Sequence, residues 1–320
     1  MKQVVCTQHS DDPTKAVDVV EVAPPACPEA GVVVALRARP INPADLLLLT
    51  GRHLYRPKLP EPVGIEGAGV VVEAGPRSRL AVGDIVAIPW GGTWRERMAL
   101  GDDDVLPVSK TVDLEQAAML SVNPFTAAGL LEGVAPGEWV AVNAANSAVA
   151  RLVLMMARAR GIPTIAIARS EANEADARAL GAEAFVVDGP GLTERLRAAA
   201  PRPIRRALDA VAGESSGRLF DALTEGGTLV VYGLLSSDTI SLPAAGVVFR
   251  DVHVQGYSRL RALRALPRAR REEVTAELVG MLERGELRSE VDARYPLEEA
   301  QAALAHHERP GRRGKILLVS

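Results

Sequence analysis

The chain has 320 residues, of which 48% are hydrophobic, and a formal net charge of −3. This length favours two domains, and the absence of a basic excess argues against a nucleic-acid partner. Two cysteines, Cys6 and Cys27, are too few for a disulfide framework or a cysteine-based metal cluster. The N-terminus lacks the apolar core of a signal peptide, and no apolar run reaches membrane-spanning length. We therefore expect a cytoplasmic protein without a membrane partner.

The first 120 residues are predicted to be rich in β-strand. Short segments, Val-rich or alternating in polarity, are separated by turns with Gly or Pro, which is typical of a small barrel or folded sheet. One helix interrupts them: Asn42 is a good N-cap, Pro43 fits the first turn, and Asp45 lies near the positive helix end. The strands expected here are 3–7, 16–22, 31–37, 67–73, 84–88 and 96–100.

Beyond residue 120, strands are predicted to alternate with helices. Residues 139–170 form the clearest unit: an apolar strand, a turn of small residues, a helix ended by Gly161 and Pro163, and a second apolar strand. This order is a βαβ unit, and its continuation predicts a doubly wound parallel sheet. Further strands are expected at 183–187, 205–210, 228–232 and 252–256, then helices at 271–284 and 297–306 and a last strand at 315–320.

The turn of the βαβ unit is a candidate phosphate-binding loop. A dinucleotide turn requires small residues, because the backbone must approach the pyrophosphate closely. Ala144, Ser147 and Ala150 replace the usual glycines, and a βαβ unit that only packs a core is the alternative. The cofactor-binding residues expected at this turn are Asn146, Ser147, Ala148 and Val149.

The second strand of the unit ends at Arg169 and Ser170, with no acid at its tip. Sites that prefer NAD place Asp or Glu there, whereas sites that prefer NADP use a nearby Arg for the 2′-phosphate. A solvated charge is the alternative for Arg169. Together with the turn, this pattern predicts NADPH as the cofactor.

Motifs along nearly the whole chain resemble the medium-chain dehydrogenase/reductase superfamily, in its zinc-independent branch of quinone oxidoreductases and 2-enoyl thioester reductases. The resemblance implies a GroES-like β-barrel catalytic domain (residues 1–120 and 261–320) and a Rossmann domain (121–260), with NADPH in the cleft between them. The motifs are INPADLLLLTG (41–51), GIEGAGVVVEAG (64–75), VGD (82–84), GTW (92–94), SVNPFTA (121–127), VNAANSAVA (142–150), LGAEAFVVD (180–188), GGTLVVYG (226–233) and GKILL (314–318).

The resemblance also bears on zinc. Zinc-dependent relatives carry a Gly-His-Glu motif whose His ligates the metal, and this chain has Gly64-Ile65-Glu66 instead. The Cys that usually precedes the first helix is missing too. Because a catalytic zinc needs three protein ligands, we expect no metal.

Reduction of a C=C bond conjugated to a carbonyl requires a hydride, polarisation of the carbonyl and a proton. Enoyl thioester reductases of this type use a Tyr in the loop after the first helix, and that position is His53 here, with Tyr55 two residues on. Either residue could donate the proton, or both could be surface residues and water the donor. The two residue types titrate in different pH ranges, so their pH profiles would differ.

The remaining histidines are poorer candidates. His9 lies in an N-terminal turn beside two aspartates, and His306 and His307 close a C-terminal helix, where a cation suits the dipole. Two other residues have alternative interpretations. Asn42 either caps the helix or lines the substrate cleft, as its counterpart does in the family, and Trp94 either walls that cleft or fills the barrel.

Further residues are candidates for the cofactor site. Thr126 resembles the Thr that meets the nicotinamide end in the family, and a helix N-cap is its alternative. Tyr232 and Gly233 end a strand at the carboxyl edge, where ligands bind in such sheets. Phe249 and Tyr257 flank the last strand of the sheet and could belong to the core, a dimer contact or the pocket wall.

The predicted function is an NADPH-dependent reductase of enones. NPFTA and NAANS favour a 2-enoyl thioester as substrate, whereas the displaced Tyr favours the alternative, an NADPH:quinone oxidoreductase. A cofactor-binding protein without turnover is a further alternative. The apolar edge strand around residues 251–256 predicts a homodimer.

Overall fold

The computed structural model describes residues 1–53, 55–309 and 311–320. These residues form two compact units, Met1–Pro124 with Pro267–Ser320, and Phe125–Leu266. Sequence analysis places the two boundaries a few residues earlier, near 120 and 261. No helix in the described part of the chain is both long enough and apolar enough to cross a membrane.

The elements follow the order expected from the sequence, with additions. The strands are β1 (Lys2–Cys6), β2 (Val17–Glu21), β3 (Gly31–Pro40), β4 (Glu61–Pro62), β5 (Gly67–Ala74), β6 (Ile85–Ile88), β7 (Arg97–Gly101), β8 (Leu106–Val108), β9 (Trp139–Val142), β10 (Thr164–Ala168), β11 (Ala184–Val187), β12 (Ile204–Asp209), β13 (Thr228–Val231), β14 (His253–Gly256), β15 (Val291–Pro296) and β16 (Lys315–Val319). The α-helices are α1 (Pro43–Leu49), α2 (Leu114–Ala118), α3 (Asn123–Leu130), α4 (Ala148–Ala159), α5 (Glu174–Leu180), α6 (Leu192–Ala199), α7 (Glu214–Ala222), α8 (Ala244–Arg250), α9 (Arg259–Ala265), α10 (Arg268–Glu283) and α11 (Ala300–His307).

The first unit contains two sheets. One has the strand order β2-β1-β4, and the other the order β15-β16-β3-β5-β6-β8 with β7 paired to β3. The ten-residue strand β3 is central because it pairs with β5, β7 and β16, and irregularities in its register with β5 fall at Val33/Val34 and Leu36/Ala38. Such bulges bend a strand, which lets one strand serve different neighbours along its length.

The second unit is a six-stranded sheet in which every pairing is parallel, with the order β11-β10-β9-β12-β13-β14. This is the doubly wound order of dinucleotide-binding domains. The sequence prediction of β10 coincides with the observed strand, all of whose residues are buried, and α4 connects it to β9. The predicted fold class, a GroES-like barrel domain with a Rossmann domain, is confirmed.

Candidate functional site

The turn between β9 and α4 has the geometry of a ligand-binding loop. Ala144 has left-handed backbone (φ 48°), which a Cβ-bearing residue adopts at a cost of roughly 1–2 kcal/mol. Ser147 caps α4, its side chain accepting the backbone N–H of Ala150 at 3.3 Å. Backbone N–H groups at the start of this twelve-residue helix therefore remain free at its positive end, and Asn146 and Ala148 lie around them. The turn fits an anionic ligand such as a pyrophosphate.

A buried carboxylate holds this edge of the sheet together. Asp209, at the end of β12, accepts a hydrogen bond from the side chain of Asn143 at 2.6 Å. It also accepts the backbone N–H groups of Val211 (2.9 Å) and Ala212 (3.1 Å), and Asn143 accepts the N–H of Ala210 at 2.8 Å. The carboxyl ends of β9 and β12 are thus joined. Sequence analysis missed both residues, although a polar residue at the end of each buried strand was the available signal.

The end of β13 contributes to the same edge. The hydroxyl of Tyr232 is buried, and burial, followed by the charge of Asp209, raises the pKa of this phenol, while Ser147 offsets part of the rise. At Gly233 a Cβ would lie 2.7 Å from the carbonyl oxygen of Ala210, so only glycine allows this approach. The structure therefore brings Tyr232 and Gly233 beside the turn that sequence analysis selected.

The tip of β10 carries positive charge that the protein does not neutralise. Arg169 and Ser170 are exposed, and Ser170 accepts the N–H of Ala172 at 3.2 Å. No ion pair within the described residues involves Arg169. The acid at the tip of neighbouring β11, Asp188, is instead held by Arg218 at 3.0 Å. A phosphate at this edge would find an available guanidinium at Arg169, although the exposed carboxylate of Glu171 follows two residues later.

Two further residues proposed for the cofactor site lie on helices. Thr126 is buried inside α3, which begins at Asn123, so the N-cap alternative is wrong. Phe249 is 81% exposed at the end of α8, beside Arg250, whose carbonyl accepts the N–H of Gly226 just before β13. Phe249 therefore lies towards the amino-terminal edge of the sheet, away from the cofactor residues.

Tyr257, which follows β14, is a packing residue. Its hydroxyl donates to the carbonyl of Phe125 at 3.3 Å, and burial raises its pKa to about 12. At Gly129 of α3 a Cβ would lie 2.1 Å from the same hydroxyl oxygen, so α3 needs glycine there. The partly buried ring of Tyr257 thus packs against α3 next to the carboxyl end of β14.

The loop after α1 holds both candidate proton donors. Gly51 has a left-handed backbone (φ 69°), and the N–H of His53 bonds to the carbonyl of Leu47 at 2.9 Å. The ring nitrogen Nδ1 of His53 accepts the backbone N–H of Tyr55 at 3.0 Å, which leaves the proton of the neutral imidazole on Nε2. His53 is half-buried, whereas Tyr55 is 57% exposed, and Leu54 between them lies outside the described residues.

A second imidazole, that of His9, lies at the base of this loop. At Gly51 a Cβ would be 3.0 Å from Cγ of His9, and the N–H of Ser10 bonds to the carbonyl of Leu49 at 3.2 Å. From the sequence, His9 is a poorer candidate because it lies beside Asp11 and Asp12 in an N-terminal turn. Only the pairing of the N-terminal turn with the end of α1 brings it here.

Asn42 precedes α1 at the N-cap position, but its side chain bonds elsewhere. Its amide Nδ2 donates to Glu66 at 3.1 Å, and its Oδ1 accepts a hydrogen bond from the ammonium of Lys315. The second oxygen of Glu66 accepts the hydroxyl of Ser121 (3.0 Å) and the N–H of Val122 (2.8 Å). We call Asn42, Asp45, Glu66, Ser121 and Lys315 the polar cluster, and all five are buried.

Burial dominates the charges of the polar cluster. Asp45 accepts the N–H of Asn42 at 2.8 Å, and burial raises its pKa to about 7. Burial lowers the pKa of Lys315 to about 8, against the attraction of Glu66 and Asp45. Glu66 belongs to the motif in which zinc-dependent relatives carry a ligand. Here an ammonium and an amide surround it, and within the described ranges no three His, Cys, Asp or Glu side chains converge on a metal position.

Trp94 fills the core of the first unit. Its side chain is fully buried in a cluster with residues such as Val4 and Ile41. Gly64 has φ 97°, and a Cβ there would lie 2.2 Å from Cδ1 of the indole. The barrel-filling interpretation of Trp94 therefore describes its packing.

The prediction of a cationic helix end at His307 is wrong. Burial, followed by the charges of Arg312 and Lys315, lowers the pKa of His307 to about 3, so its ring is neutral. His306 instead bonds to the hydroxyl of Tyr295 at 2.9 Å and lies 3.1 Å from Asp292. Desolvation outweighs the helix dipole at His307 because the side chain points into the unit.

Comparisons with known proteins agree with the fold. An alcohol dehydrogenase GroES-like domain matches residues 28–110, and a zinc-binding dehydrogenase domain matches residues 148–278. The mitochondrial enoyl-[acyl-carrier-protein] reductase of Xenopus tropicalis is 32% identical over 90% of this chain and 87% of its own length. The chain belongs to the medium-chain dehydrogenase/reductase family.

Solved structures are similar over the whole chain. A candidate NADPH:quinone reductase of Bacillus thuringiensis has a TM-score of 0.90 at 26% identity and covers 100% of this chain and 99% of its own. The Escherichia coli quinone oxidoreductase complexed with NADPH has a TM-score of 0.88 at 23% identity, with 100% of both chains covered. At that identity the second likeness concerns the fold alone.

Proposed function

We propose that this protein is an NADPH-dependent, zinc-independent reductase that transfers hydride to the C=C bond of an α,β-unsaturated thioester. The observation that carries the proposal is the similarity to an enoyl-[acyl-carrier-protein] reductase over 90% of the chain at 32% identity. The sheet edge of the second unit supports it, because a turn of small residues, a helix N-terminus and an uncompensated arginine are features of an NADPH site.

The residues of that edge have distinct roles in this proposal. The N–H groups around Asn146 to Val149 bind the pyrophosphate, and Arg169 and Ser170 bind the 2′-phosphate. Tyr232 and Gly233 form the floor, and the buried network of Asp209 keeps the strand ends in position. When bound, the nicotinamide supplies the hydride.

The first unit supplies the proton in this proposal. His53 retains a donor at Nε2 because its other nitrogen is occupied by the N–H of Tyr55. Tyr55 is exposed and so could also reach a substrate. The polar cluster fixes the amide of Asn42 through Glu66 and Lys315. Asn42 is therefore a pre-oriented group rather than a flexible one.

Quinone reduction is the second candidate. The observation that favours it is the replacement of the family's Tyr by His53, because a reduced quinone can take its protons from water. The similarity to a candidate NADPH:quinone reductase at 26% identity supports it too. A cofactor-binding protein without turnover is the third candidate. It differs from both reductases because it would bind NADPH without oxidising it.

The test follows NADPH absorbance with crotonyl-CoA, a longer enoyl-CoA, an ortho-quinone and a para-quinone. We expect both thioesters to be reduced with higher kcat/KM than either quinone. Turnover confined to quinones would reject thioester reduction in favour of the second candidate. NADPH binding without any turnover would reject both. The variant Arg77→Gln, at a surface residue paired with Glu29, is the control for effects of substitution and preparation on the assay.

We further propose that the chain forms a homodimer through β14 of the second unit. This strand is the outer strand of the sheet, and all four of its residues are exposed. The neighbouring helix α8 exposes Val247, Val248 and Phe249. An apolar edge of this kind invites pairing with a second copy.

A cytoplasmic location is likewise a proposal. The similar reductase of Xenopus is mitochondrial, and fractionation of the source cells would test where this protein lies.

A further inference from the structure

The loop that carries the candidate proton donors is strongly basic. Between Gly51 and Pro60 it contains Arg52, Arg56 and Lys58 besides His53, and no acidic residue. The chain as a whole has a net charge of −3, so this is a local excess of positive charge against the general balance. Local excess on an exposed loop is a feature of anion recognition rather than of folding.

These three cations are available to a ligand. All three side chains are exposed, and no ion pair in the described part of the chain involves any of them. Arg52 donates to the hydroxyl of Thr50 at 3.2 Å, which leaves its charge uncompensated. The next acid along the chain, Glu61, acts on Arg95.

Several other exposed cations of the same unit are paired with acids. Arg77 lies 2.5 Å from Glu29, and Lys110 lies 3.6 Å from Asp84. Further pairs are Arg79 with Asp103, Arg268 with Glu272, Arg284 with Glu286 and Arg294 with Glu115. Exposed Arg37 and Arg97, like the cations of the loop after α1, have no such ion pair among the described residues. What distinguishes the loop is that three such cations lie between Arg52 and Lys58 with no acid among them.

Both ends of the loop are anchored to the N-terminal strand region. At the start, Gly51 packs on His9, and at the end β4 pairs with β1, with Val5 opposite Pro62. The two ends of the loop are thus held in place, which lowers the entropy lost when a ligand binds its cations.

The spacing restricts what the ligand can be. The reacting carbonyl must lie beside His53 or Tyr55, while Arg56 and Lys58 follow up to five residues later. An extended chain spans at most about 3.6 Å per residue, so the Cα atoms of His53 and Lys58 lie within about 18 Å of each other, and the anionic group lies at a distance of that order from the proton donor. A quinone or a simple enal has no charge at such a distance. A thioester on a pantetheine arm ends in a phosphate, whether the arm belongs to coenzyme A or to a carrier protein.

We propose that Arg56 and Lys58, with Arg52, bind the phosphate at the end of a pantetheine arm and so select carrier-bound thioesters over neutral enones. This inference rests on the proposed thioester reduction and names the part of the substrate that the loop recognises. Guanidinium and ammonium groups suit a phosphate because each forms charge-assisted hydrogen bonds with it.

The test compares substrates that differ in the phosphate alone: crotonyl-4′-phosphopantetheine and crotonyl-pantetheine. We expect kcat/KM to be about tenfold or more higher for the phosphorylated substrate, the usual size of one charge-assisted contact. In the double variant Arg56→Gln/Lys58→Gln this ratio should fall towards one. The matched control, Arg77→Gln/Lys110→Gln, also removes one Arg and one Lys charge and should keep the wild-type ratio.

Further arms separate the possible outcomes. Crotonyl-CoA and a crotonyl carrier protein distinguish the two sources of the phosphate. The proposal is supported if either substrate is preferred over crotonyl-pantetheine by the wild type and this preference is lost in the double variant. Equal kcat/KM for the phosphorylated and unphosphorylated substrates would overturn the proposal while leaving thioester reduction intact. If neither thioester is reduced, thioester reduction itself fails. Calorimetry with 4′-phosphopantetheine against pantetheine then tests the loop directly, and equal binding rejects its role.

Discussion

At the scale of single residues, His53 and Tyr55 present different means of delivering a proton. The backbone N–H of Tyr55 occupies Nδ1 of His53 and so keeps a proton on the opposite nitrogen, whereas the Tyr55 side chain is mostly exposed. A half-buried donor with a fixed tautomer is better suited to general acid catalysis than a side chain that solvent surrounds. The geometry therefore favours His53.

We predict that His53→Ala lowers kcat for crotonyl-CoA roughly a hundredfold, the usual range for loss of a general acid, and that Tyr55→Phe changes it little. Steady-state assays of both variants with saturating NADPH are the measurement. The reverse pattern would assign the proton to Tyr55. Unchanged rates in both variants, together with fast quinone turnover, would instead leave water as the donor and quinone reduction as the better account.

Arg169 is the second residue whose role can be isolated. We predict that the wild type binds NADPH more tightly than NADH, and that Arg169→Ala narrows the difference by about ten- to a hundredfold, equivalent to roughly 1.5–3 kcal/mol for a charge-assisted contact. Fluorescence titration with both cofactors measures it. Arg160→Ala, at the C-cap of α4, is the matched control. Equal affinities in the wild type would contradict the prediction.

At the scale of elements, the polar cluster joins α1, the start of β5 and β16. Asn42 connects Glu66 with Lys315, so three segments far apart in sequence share one buried hydrogen-bonded group. A buried charge is tolerated only where partners replace water. The cluster therefore fixes how α1, and with it the start of the basic loop, sits on the barrel.

The raised pKa of Asp45 predicts a pH-dependent stability. Its folded-state pKa of about 7 exceeds the ordinary carboxyl pKa of 3.8, so the folded state binds the extra proton between these values. Its stabilising contribution is thus complete below about pH 4 and is lost as the pH rises through about 7. We predict that Asp45→Asn, measured by urea denaturation at several pH values, flattens this part of the wild-type profile. Identical slopes in variant and wild type would refute the assignment.

Lys315 acts in the opposite sense at higher pH. Its folded-state pKa of about 8 lies below the ordinary lysine pKa of 10.5, so the folded state releases its proton first. Stability therefore rises with pH between these values and is lost as the pH falls through about 8. Between these two pKa values Asp45 and Lys315 are both charged, so the polar cluster stabilises the fold least near neutral pH. The Asp45→Asn comparison is consequently cleanest below pH 7, where Lys315 stays protonated.

At the scale of the whole molecule, the second unit leaves one sheet edge open. Pairing of β14 with its copy would extend the parallel sheet across a two-fold axis and cover the apolar side chains of α8. We predict that the wild type sediments as a dimer at micromolar concentration and that Val248→Glu, which places a charge on a 68% exposed apolar site, yields a monomer. Val82→Glu, at a 64% exposed valine of the first unit, is the matched control and should remain dimeric. A monomeric wild type would exclude this interface.

Elements with local signals were predictable from the sequence. β10 and α4 were predictable because an apolar run and a helix without internal Gly or Pro are bounded by Gly161 and Pro163. The parallel sheet and the positions of Ser147, Arg169 and Tyr232 at its carboxyl edge follow from the alternation of strand and helix. The same local reasoning missed β4, β8 and β15, because each contains a Pro and becomes a strand only by pairing with a distant neighbour.

Which polar residues meet depends on how distant segments pack, and the sequence does not reveal it. Glu66 and Lys315 share Asn42 although they lie far apart in the chain, and His9 packs against Gly51 through the contact of a turn with a helix end. His307 is neutral because it is buried, a fact that its position at a helix terminus does not reveal. Periodicity records which face of an element is apolar. The partners of a buried polar group depend on how distant segments pack, because each such group must find its hydrogen bonds wherever the fold provides them.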